Sequence, residues 1–368
     1  MKENAVITLA HGSGGRKMHR LISEIFVRYF DNPILRRLED AAEFEVREKG
    51  EGRRDESSNP VRLALTTDSY VVQPLFFPGG DIGKLAVCGT VNDLAVKGAT
   101  PRYLSAGFII STGVSYDCLD RICRSMARAA KQAGVRIVTG DTKVIEISKK
   151  DKGEGRRDKF IPYPSSFIPS VELYINTSGL GVYGHDHHYG AERIRPGDKI
   201  LINGSIGDHE AAIVLARGQF EFRAKLKSDC APLNGLVASL IRTGANIKMM
   251  RDPTRGGVAT TLNEIAQAAK LGIIIHEDAL VVKPAVHGVC ELLGFEPLYL
   301  ANEGKVLVVV AARDETRLQS AMRRHPLGRA GSVIAEVTDK RQGVWLKTKL
   351  GSLRPILMLE GQQLPRIC

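Results

Sequence analysis

Residues 71–110 hold the densest block of structural signals in the chain, and they constrain its fold most strongly. Turn-forming residues 78–81 lead into residues 82–95, which are rich in glycine, alanine and apolar side chains. Because small residues permit close packing, we predict a buried helix here. Polar groups on a buried helix need partners, and here they belong to Lys84, Asn92 and Asp93. These side chains either bind a ligand or make internal caps and salt bridges.

Hydrophobic periodicity along the rest of the chain predicts strands mixed with helices, an α+β pattern. The predicted strands span residues 61–65, 102–110, 135–139, 174–182, 199–203, 273–275 and 306–310. The other predicted helices span residues 18–30 and 117–133, the second closed by Gly134, and a further one begins near Val258. An acidic turn is predicted at residues 66–69. A break near residues 184–196 separates an N-terminal domain, residues 1–184, from a C-terminal domain, residues 195–350.

The segment KGEGRRD occurs twice, at residues 49–55 and 152–158. The sequences that flank the two copies share nothing, which argues against a duplicated fold unit. Both copies lead into Ser/Pro-rich sequence of low hydrophobicity. We therefore predict low-complexity insertions in surface loops, at about residues 47–60 and 149–170, where extra chain length costs little.

Composition excludes several classes of protein. The 368 residues are 43% hydrophobic and 25% charged, which is ordinary for a globular protein of about two domains. No apolar run approaches the ~18–20 residues of a membrane span, and the N-terminus lacks a secretory pattern. The net charge of +11 is interleaved with acidic residues, and aromatic residues do not accompany the basic ones, so nucleic-acid binding is not expected. Six scattered cysteines without a CxxC pair indicate free thiols in a reducing cytoplasm.

Three segments carry candidate chemistry. Residues 140–143 (GDTK) follow a predicted strand, and strand-end loops are where open sheets place reactive groups; the alternative is a tight turn. Residues 250–257 (MRDPTRGG) join a carboxylate and two arginines to a helix start that suits an anion. Glu303 precedes a buried strand, where it could be a base with a shifted pKa or a turn residue.

Two other segments are weaker signals. Residues 11–16 (HGSGGR) place three glycines before a predicted helix, which suits either an anion or ordinary chain reversal. Residues 185–188 contain three histidines, but no helix or strand spacing orients them together. We expect a solvated loop there, without a metal.

The chain ends in PRIC, with a cysteine as its last residue. Proline favours an extended conformation before it, and residues 361–364 have no helical period, so we predict a flexible tail over residues 355–368. Ten extended residues reach roughly 33–36 Å, enough to carry the thiol of Cys368 into a site elsewhere. The alternative is a frayed end. Prenylation is excluded because it needs the cysteine four residues from the end.

Taken together, these segments resemble the HypE family of [NiFe]-hydrogenase maturation enzymes, within the superfamily of aminoimidazole-ribonucleotide synthetase-like ATP enzymes. The resemblance rests on HGSGG, TTDSYVVQPLFFPGGDIGKLAVCGTVNDLAVKGA, VTGDTKV, INTSGLG, RDPTRGG, VKPAVHGVCELLG, ANEGK, HPLG and PRIC. It covers nearly the whole chain except the two insertions. It implies a two-domain fold in which the N-terminal domain binds ATP and dimerises through its sheet, followed by a C-terminal α/β domain and the mobile tail.

The resemblance also implies the reaction. The terminal Cys368 would receive a carbamoyl group from the transferase HypF, and ATP would drive its dehydration to a thiocyanate. This thiocyanate supplies cyanide ligands for the hydrogenase iron through the HypC–HypD complex. An amide oxygen leaves poorly unless it is phosphorylated, a base must remove the amide protons, and water must be kept out. The implied enzyme is therefore a cytoplasmic, homodimeric, ATP-dependent carbamoyl dehydratase.

The implied site residues fall into three groups. The catalytic residues would be Cys368, with Lys143 and Glu303 as the deprotonating pair. The residues along the nucleotide would be Lys84, Asn92, Asp93, Gly140, Asp141, Thr142 and Asp252. Mg²⁺ prefers carboxylate oxygens, and its ligands would be Asp40, Asp68, Asp93, Asp141 and Asp252.

Two rival hypotheses stay open at this point. The first is an enzyme of the same superfamily that activates the amide oxygen of a free small molecule; its activity would survive removal of Cys368. The second is a thiol carrier or maturation scaffold that binds ATP without turning it over. Its function would tolerate Lys143→Ala and Glu303→Ala.

Overall fold

The structure is a computed structural model that describes residues 6–12, 14–46, 60–146, 172–218, 225–359, 364 and 366–368. The predicted insertions lie almost wholly outside these residues, as do residues 361–363 of the predicted tail.

The elements of the N-terminal half are, in chain order, α1 (Arg16–Leu21), a π-helical turn (Ile22–Phe26), α2 (Val27–Phe30), β1 (Ala42–Val46), β2 (Val61–Tyr70), β3 (Phe76–Phe77), β4 (Gly80–Asp81), α3 (Ile82–Val96), β5 (Thr100–Ser111), α4 (Tyr116–Ala133), β6 (Arg136–Ile145) and β7 (Leu173–Val182).

The N-terminal sheet has the strand order β1-β2-β7-β5-β6. All neighbours are antiparallel except β5 and β6, which are parallel. One face is covered by α3, which packs on β2, β7 and β5. The other face exposes apolar side chains along one row of the sheet, including Leu65 and Tyr103. The edge strand β6 is exposed over all ten residues.

Helix α3 is buried, as predicted from its small residues. Asp81 caps its N-terminus by accepting the backbone N–H groups of Gly83 and Lys84 at 2.9 and 3.0 Å. Gly83 lies against α4, and a Cβ on it would meet the carbonyl oxygen of Ile122 at 2.7 Å. The other side of α3 packs against α6 of the C-terminal half, so this one helix belongs to both domains' packing.

The C-terminal half contains β8 (Lys199–Ile202), α5 (Asp208–Ala216), α6 (Asn234–Ile241), β9 (Ile247–Arg251), α7 (Gly257–Ala269), β10 (Gly272–His276), α8 (Pro284–Leu293), β11 (Leu307–Val310), α9 (Glu315–Arg324), β12 (Ser332–Thr338), β13 (Gly343–Lys347) and β14 (Leu353–Ile356). Its sheet has the order β14-β13-β10-β12-β8-β11-β9. Only β10 and β13 are parallel neighbours. Strand β11 is completely buried, as its all-apolar sequence requires.

Three sequence-based predictions of local structure are wrong. The acidic turn at residues 66–69 is the continuation of β2, which pairs with β7 as far as Tyr70. The GDTK segment is not a strand-end loop, because β6 runs through it to Ile145 beside β5. The C-terminal sheet extends past residue 350, because β14 ends at Ile356, and the tail begins only after it.

Most other predicted elements are present within one or two residues. Helix α4 ends at Ala133, and Gly134 follows it in the left-handed conformation with a φ of 70°, as the sequence predicted. Among the described residues, no helix combines the length and the apolarity that crossing a bilayer requires.

Candidate active site

Five separate segments enclose a cavity of about 30 Å³ between the two domains, which we name the carboxylate chamber. The end of β2, the middle of α3, the loop after β9, the segment before β11 and the last residue of the chain contribute its walls. Its lining residues are Asp68, Ser69, Tyr70, Gly89, Asp93, Asp252, Thr254, Arg255, Glu303 and Cys368. A water molecule needs roughly 10–15 Å³ measured in this way, so the chamber has room for a few atoms and not for a nucleotide.

The docked tail brings the sulfur into this chamber. Leu364 and Ile367 are 2% and 5% exposed and pack into the same core cluster as Tyr70 and α3. Cys368 is half-buried and lines both the chamber and an adjacent cavity of about 60 Å³. The structure therefore contains Leu364 and residues 366–368 in a docked position, and the flexibility predicted for residues 355–368 stays a prediction.

Buried carboxyl groups dominate the electrostatics of the chamber. Burial raises the pKa of Glu303 well above its ordinary value, and the negative charges of Asp252 and Asp68 raise it further. The pKa of Asp93 is raised well above its ordinary value for the same reasons, and that of Asp252 is raised to about 8 by burial and by Asp40. Such mutual repulsion favours protons or a bound cation in the chamber.

The thiol of Cys368 is also held in its neutral form. Burial raises its pKa, Arg255 opposes this shift, and Glu303 and Asp68 add to it. Since the thiolate is the nucleophilic form, a docked free thiol is a poor nucleophile. The docked tail is thus suited to chemistry on a group that the sulfur already carries.

The backbone at Glu303 is fixed by hydrogen bonds that the side chain of its neighbour, Asn302, makes with other segments. Asn302 is completely buried; its side-chain oxygen accepts the N–H of Gly207 at 2.8 Å, and its amide nitrogen donates to the carbonyl of Pro253 at 3.1 Å. These bonds tie the segment before β11 to the loop that carries Asp252. The backbone that carries Glu303 is thus fixed without substrate, which limits where its carboxyl group can lie.

Of the residues predicted to contact the nucleotide, Asp93 and Asp252 line the chamber, but Lys84 and Asn92 do not. Lys84 donates to the carbonyl of Gly79 at 2.8 Å. Asn92 is 1% exposed and spans the domain interface, accepting the N–H of Leu233 at 2.7 Å and donating to the carbonyl of Ala231 at 3.2 Å. For these two side chains the structure favours internal hydrogen bonding, the alternative that the sequence left open.

The four residues of the GDTK segment, all of them predicted to belong to the site, lie apart from the chamber on the exposed edge strand β6. These are Gly140, Asp141, Thr142 and Lys143. Lys143 pairs with Asp141 at 2.5 Å, with both side chains more than two-thirds exposed, and Lys143 lowers the pKa of Asp141. Within one chain, Lys143 and Glu303 are therefore not brought together.

The five predicted Mg²⁺ ligands are only partly gathered. Asp68, Asp93 and Asp252 share the chamber wall, Asp40 is paired with Arg251 at 2.8 Å, and Asp141 lies on β6. Over the described ranges, no three His, Cys, Asp or Glu side chains are arranged to hold a metal ion as they stand. The carboxylate donors of the three chamber aspartates, and the raised pKa values of Asp93 and Asp252, nevertheless fit a hard cation, which would neutralise them.

Sequence reasoning did not assign a role to several residues of the site. Arg255 lies 3.6 Å from Asp68, lines the chamber with Cys368, and opposes the rise in the pKa of its thiol. The segment MRDPTRGG suits an anion, and this signal is sufficient to nominate Arg255. Tyr70 closes the chamber beside Gly89. His209 contacts the tail from α5, and no local sequence signal could have indicated that contact.

The comparisons with known proteins agree with this geometry. Residues 55–155 match the family described as AIR synthase related protein, N-terminal domain, and residues 195–347 match the corresponding C-terminal domain. The fold and the interdomain site thus define an AIR synthase-related protein. The chain is 46% identical over 367 residues to the carbamoyl dehydratase HypE of Bradyrhizobium diazoefficiens, which covers 99% of this chain and 97% of that one.

Two solved structures are similar over nearly the whole chain. The hydrogenase maturation protein HypE in complex with ATP is 43% identical with a TM-score of 0.74, covering 98% of this chain and 100% of that chain. A HypE–HypF complex contains a chain that is 43% identical with a TM-score of 0.78, covering 92% of this chain and 99% of that one. The chain belongs to the HypE family of carbamoyl dehydratases.

Proposed function

We propose that this enzyme dehydrates a carbamoyl group carried on Cys368 to a thiocyanate, using ATP, and so supplies cyanide for the iron of a [NiFe]-hydrogenase. The observation that carries the proposal is that the last residue of the chain lies in a chamber lined by Glu303 and three aspartates. A chamber with room for only a few atoms suits a carbamoyl group that arrives on the chain's own sulfur. It leaves little space for a free substrate.

The reaction balances as a dehydration coupled to ATP. The carbamoyl oxygen takes the terminal phosphoryl group of ATP, which turns a poor leaving group into phosphate. Loss of that phosphate and of two nitrogen-bound protons leaves a carbon–nitrogen triple bond on the sulfur. The products are the thiocyanate, ADP and phosphate. A chamber between two domains excludes the water that would hydrolyse the phosphorylated intermediate.

Glu303 is the proposed acceptor for an amide proton. It is 3% exposed, lines the chamber with Cys368, and has a pKa raised by burial and by neighbouring carboxylates. A carboxylate with a raised pKa is a stronger base than an ordinary glutamate when ionised. Asp68, Asp93 and Asp252 would hold Mg²⁺, which would supply positive charge to the triphosphate.

Lys143 remains the proposed second base, and it needs a second copy of the chain to act. In one chain it lies on β6, whose ten residues are all exposed. The exposed apolar face of the same sheet, with Leu65 and Tyr103, supports the homodimer that the resemblance implies. We expect Lys143→Ala to slow dehydration in single-turnover measurements while the free energy of unfolding changes little, since exposed ion pairs contribute about 0–1 kcal/mol. An unchanged rate of dehydration in Lys143→Ala would exclude Lys143 as a base.

The partners follow from the chemistry of the tail. HypF would load the carbamoyl group onto Cys368, and a HypC–HypD complex would accept the cyanide; the solved HypE–HypF complex of a relative supports the first of these. Because the chamber has room for only a few atoms, a separate enzyme can load the sulfur only when the tail leaves it, and the raised pKa of the docked thiol agrees with this. All six cysteines lie in the described ranges as free thiols, which suits the cytoplasm.

Intact mass spectrometry tests the proposal. The protein is first incubated with HypF and carbamoyl phosphate, HypF and all small molecules are then removed, and ATP is added or omitted in a second step. We expect a carbamoyl adduct on Cys368 that loses one water only when ATP is added in this second step. A chain that ends at Ile367 is the control and should gain no adduct. An adduct on another cysteine, or dehydration without Cys368, would contradict the proposal.

A further inference from the structure

The docked tail is held by three successive backbone carbonyl groups. The carbonyl of Cys368 accepts the N–H of Val71 at 3.2 Å, and that of Arg366 accepts the N–H of Gln73 at 3.0 Å. Between them, the carbonyl of Ile367 faces the side chain of His209, with Nε2 at 3.0 Å. The backbone contacts with residues 71 and 73 resemble one short antiparallel strand pairing, which any sequence could make. Two side chains add to these backbone contacts: Arg217 donates to the carbonyl of Arg366 at 3.0 Å, and His209 contacts the carbonyl next to the reactive cysteine.

The tail needs this holding because its docked conformation is strained. Arg366 has a φ of 55°, in the left-handed region that residues other than glycine rarely adopt. Its side chain is fixed in turn, donating to the carbonyl of Val71 at 3.1 Å and to Glu172 at 3.0 Å. A residue in this region persists only when surrounding contacts impose it. The position of the sulfur therefore depends on the groups that hold the last three residues.

His209 is built as a fixed donor. It is completely buried on α5, and burial lowers its pKa, so the imidazole is neutral. A carbonyl oxygen only accepts, so Nε2 carries the proton and Nδ1 must accept from the hydroxyl of Ser228, at 2.8 Å. The hydroxyl oxygen of Ser228 accepts the N–H of Cys230 at 3.0 Å. The ring of Phe77 packs edge-on against the imidazole, with 5.5 Å between ring centroids.

We propose that His209 is a positioning residue that sets the place of the Cys368 sulfur in the carboxylate chamber by holding the carbonyl of Ile367. The inference rests on the proposed function for its meaning in catalysis, but it concerns the docking of the tail itself. A buried histidine usually serves the core alone. Here one of its two bonds ends on a segment that must leave and return in each cycle, so the bond contributes only to the docked state.

Thiol alkylation measures the docked fraction directly. The full-length protein is treated with iodoacetamide, and the modification of Cys368 is compared by peptide mass spectrometry with that of exposed Cys123 in the same chain. Losing the donor leaves a buried carbonyl unsatisfied, so His209→Phe should raise the alkylation rate of Cys368 by about 10- to 100-fold, with Cys123 unchanged. His209→Gln retains an N–H donor and should restore most of the protection. His287→Phe, at an exposed position on α8, is the matched control.

Ser228→Ala provides a second, smaller perturbation. It removes the hydroxyl that fixes the tautomer of His209, so it should also raise the alkylation rate of Cys368. The thermal unfolding of Ser228→Ala is compared with that of the parent to verify that the variant is folded. In single turnover, His209→Phe should slow dehydration while carbamoylation by HypF and ATP affinity stay unchanged. Parental alkylation of Cys368 in folded His209→Phe, or in Ser228→Ala, would overturn the inference. Failure of the parent to dehydrate its adduct would instead overturn the proposed function and leave the alkylation result standing.

Discussion

The carboxylate of Asp229 accepts hydrogen bonds from the backbone at Glu303. One carboxylate oxygen of Asp229 accepts the N–H of Glu303 at 3.2 Å; the other accepts the N–H of Gly304 at 3.2 Å and the ammonium group of Lys305 at 2.9 Å. Burial works to raise the pKa of Asp229, but the charge of Lys305 and its hydrogen bond bring it below its ordinary value, so the group is ionised. A second, ionised carboxylate thus supports the proposed base.

The first prediction concerns this buried pair. Asp229→Ala leaves Lys305 buried without its counter-charge, and we expect a loss of about 3–5 kcal/mol in the free energy of unfolding, measured with urea. Asp229→Ala combined with Lys305→Met should recover much of that loss. The exposed pair between Asp120 and Arg124 on α4 is the control, where Asp120→Ala should cost at most about 1 kcal/mol. Equal effects at the two sites would contradict this role of Asp229.

The second prediction separates chemistry from folding at Glu303. Glu303→Gln keeps the shape of the side chain but removes the proton acceptor, so the single-turnover rate of water loss from the carbamoyl adduct should fall by about 10²–10⁴-fold. Loading of Cys368 should be unaffected, because it takes place outside the chamber. Removing a buried carboxyl should leave stability unchanged or higher. Exposed Glu291 on α8 gives the control Glu291→Gln; a parental rate in Glu303→Gln would exclude Glu303 as the base.

The predictability of the fold differs from element to element for physical reasons. Helices α3 and α4 could be predicted because their caps and their small or periodic residues are local signals. Strand β6 was cut short at Gly140 because glycine was interpreted as a turn. In the structure a Cβ at Gly140 would meet the carbonyl oxygen of Ala106 at 2.2 Å, so glycine serves the close approach of β5. The turn predicted at residues 66–69 failed similarly, since pairing with β7 overrides local turn preference.

The site was predictable as a set of segments but not as a set of contacts. Family motifs nominated Asp68, Asp93, Asp252, Glu303 and Cys368; these residues meet in one chamber, and their roles in it stay predictions. Motifs could not indicate that the side-chain amide of Asn92 forms hydrogen bonds with the backbone of the C-terminal domain. They also could not indicate that His209 would contact Ile367, 158 residues further along the chain. Such contacts arise only when the two domains and the tail are assembled.

The third prediction distinguishes the two roles proposed for Asn92, which are nucleotide binding and hydrogen bonding between the domains. Asn92→Ala leaves the N–H of Leu233 and the carbonyl of Ala231 without their buried partner, so the free energy of unfolding should fall by about 2–3 kcal/mol. ATP affinity, measured by calorimetry, should stay at the parental value. Asn234→Ala removes one half-buried bond between the domains, to the carbonyl of Ala133, and should cost about 1 kcal/mol. A large loss of ATP affinity in Asn92→Ala would show that Asn92 binds the nucleotide.

The fourth prediction is a dependence of stability on pH that Glu210 causes. Glu210 is 5% exposed on α5; burial raises its pKa to about 7, against the opposing effects of the Ala301 N–H and of Arg217. Since the folded-state pKa lies above the unfolded value, the neutral carboxyl contributes stability at low pH. That contribution is lost as the pH rises from the ordinary pKa near 4.5 through 7.

Glu210→Gln removes this titration and keeps an acceptor for the N–H of Ala301, which Glu210 accepts at 2.8 Å. The variant should therefore gain stability relative to the parent between pH 5 and pH 8, by on the order of 3 kcal/mol. Urea unfolding at a series of pH values measures the difference, and exposed Glu291→Gln should show none. A constant difference between Glu210→Gln and the parent across that range would mean that Glu210 is ionised at both ends. Water or a cation would then have to reach α5 beneath the docked tail.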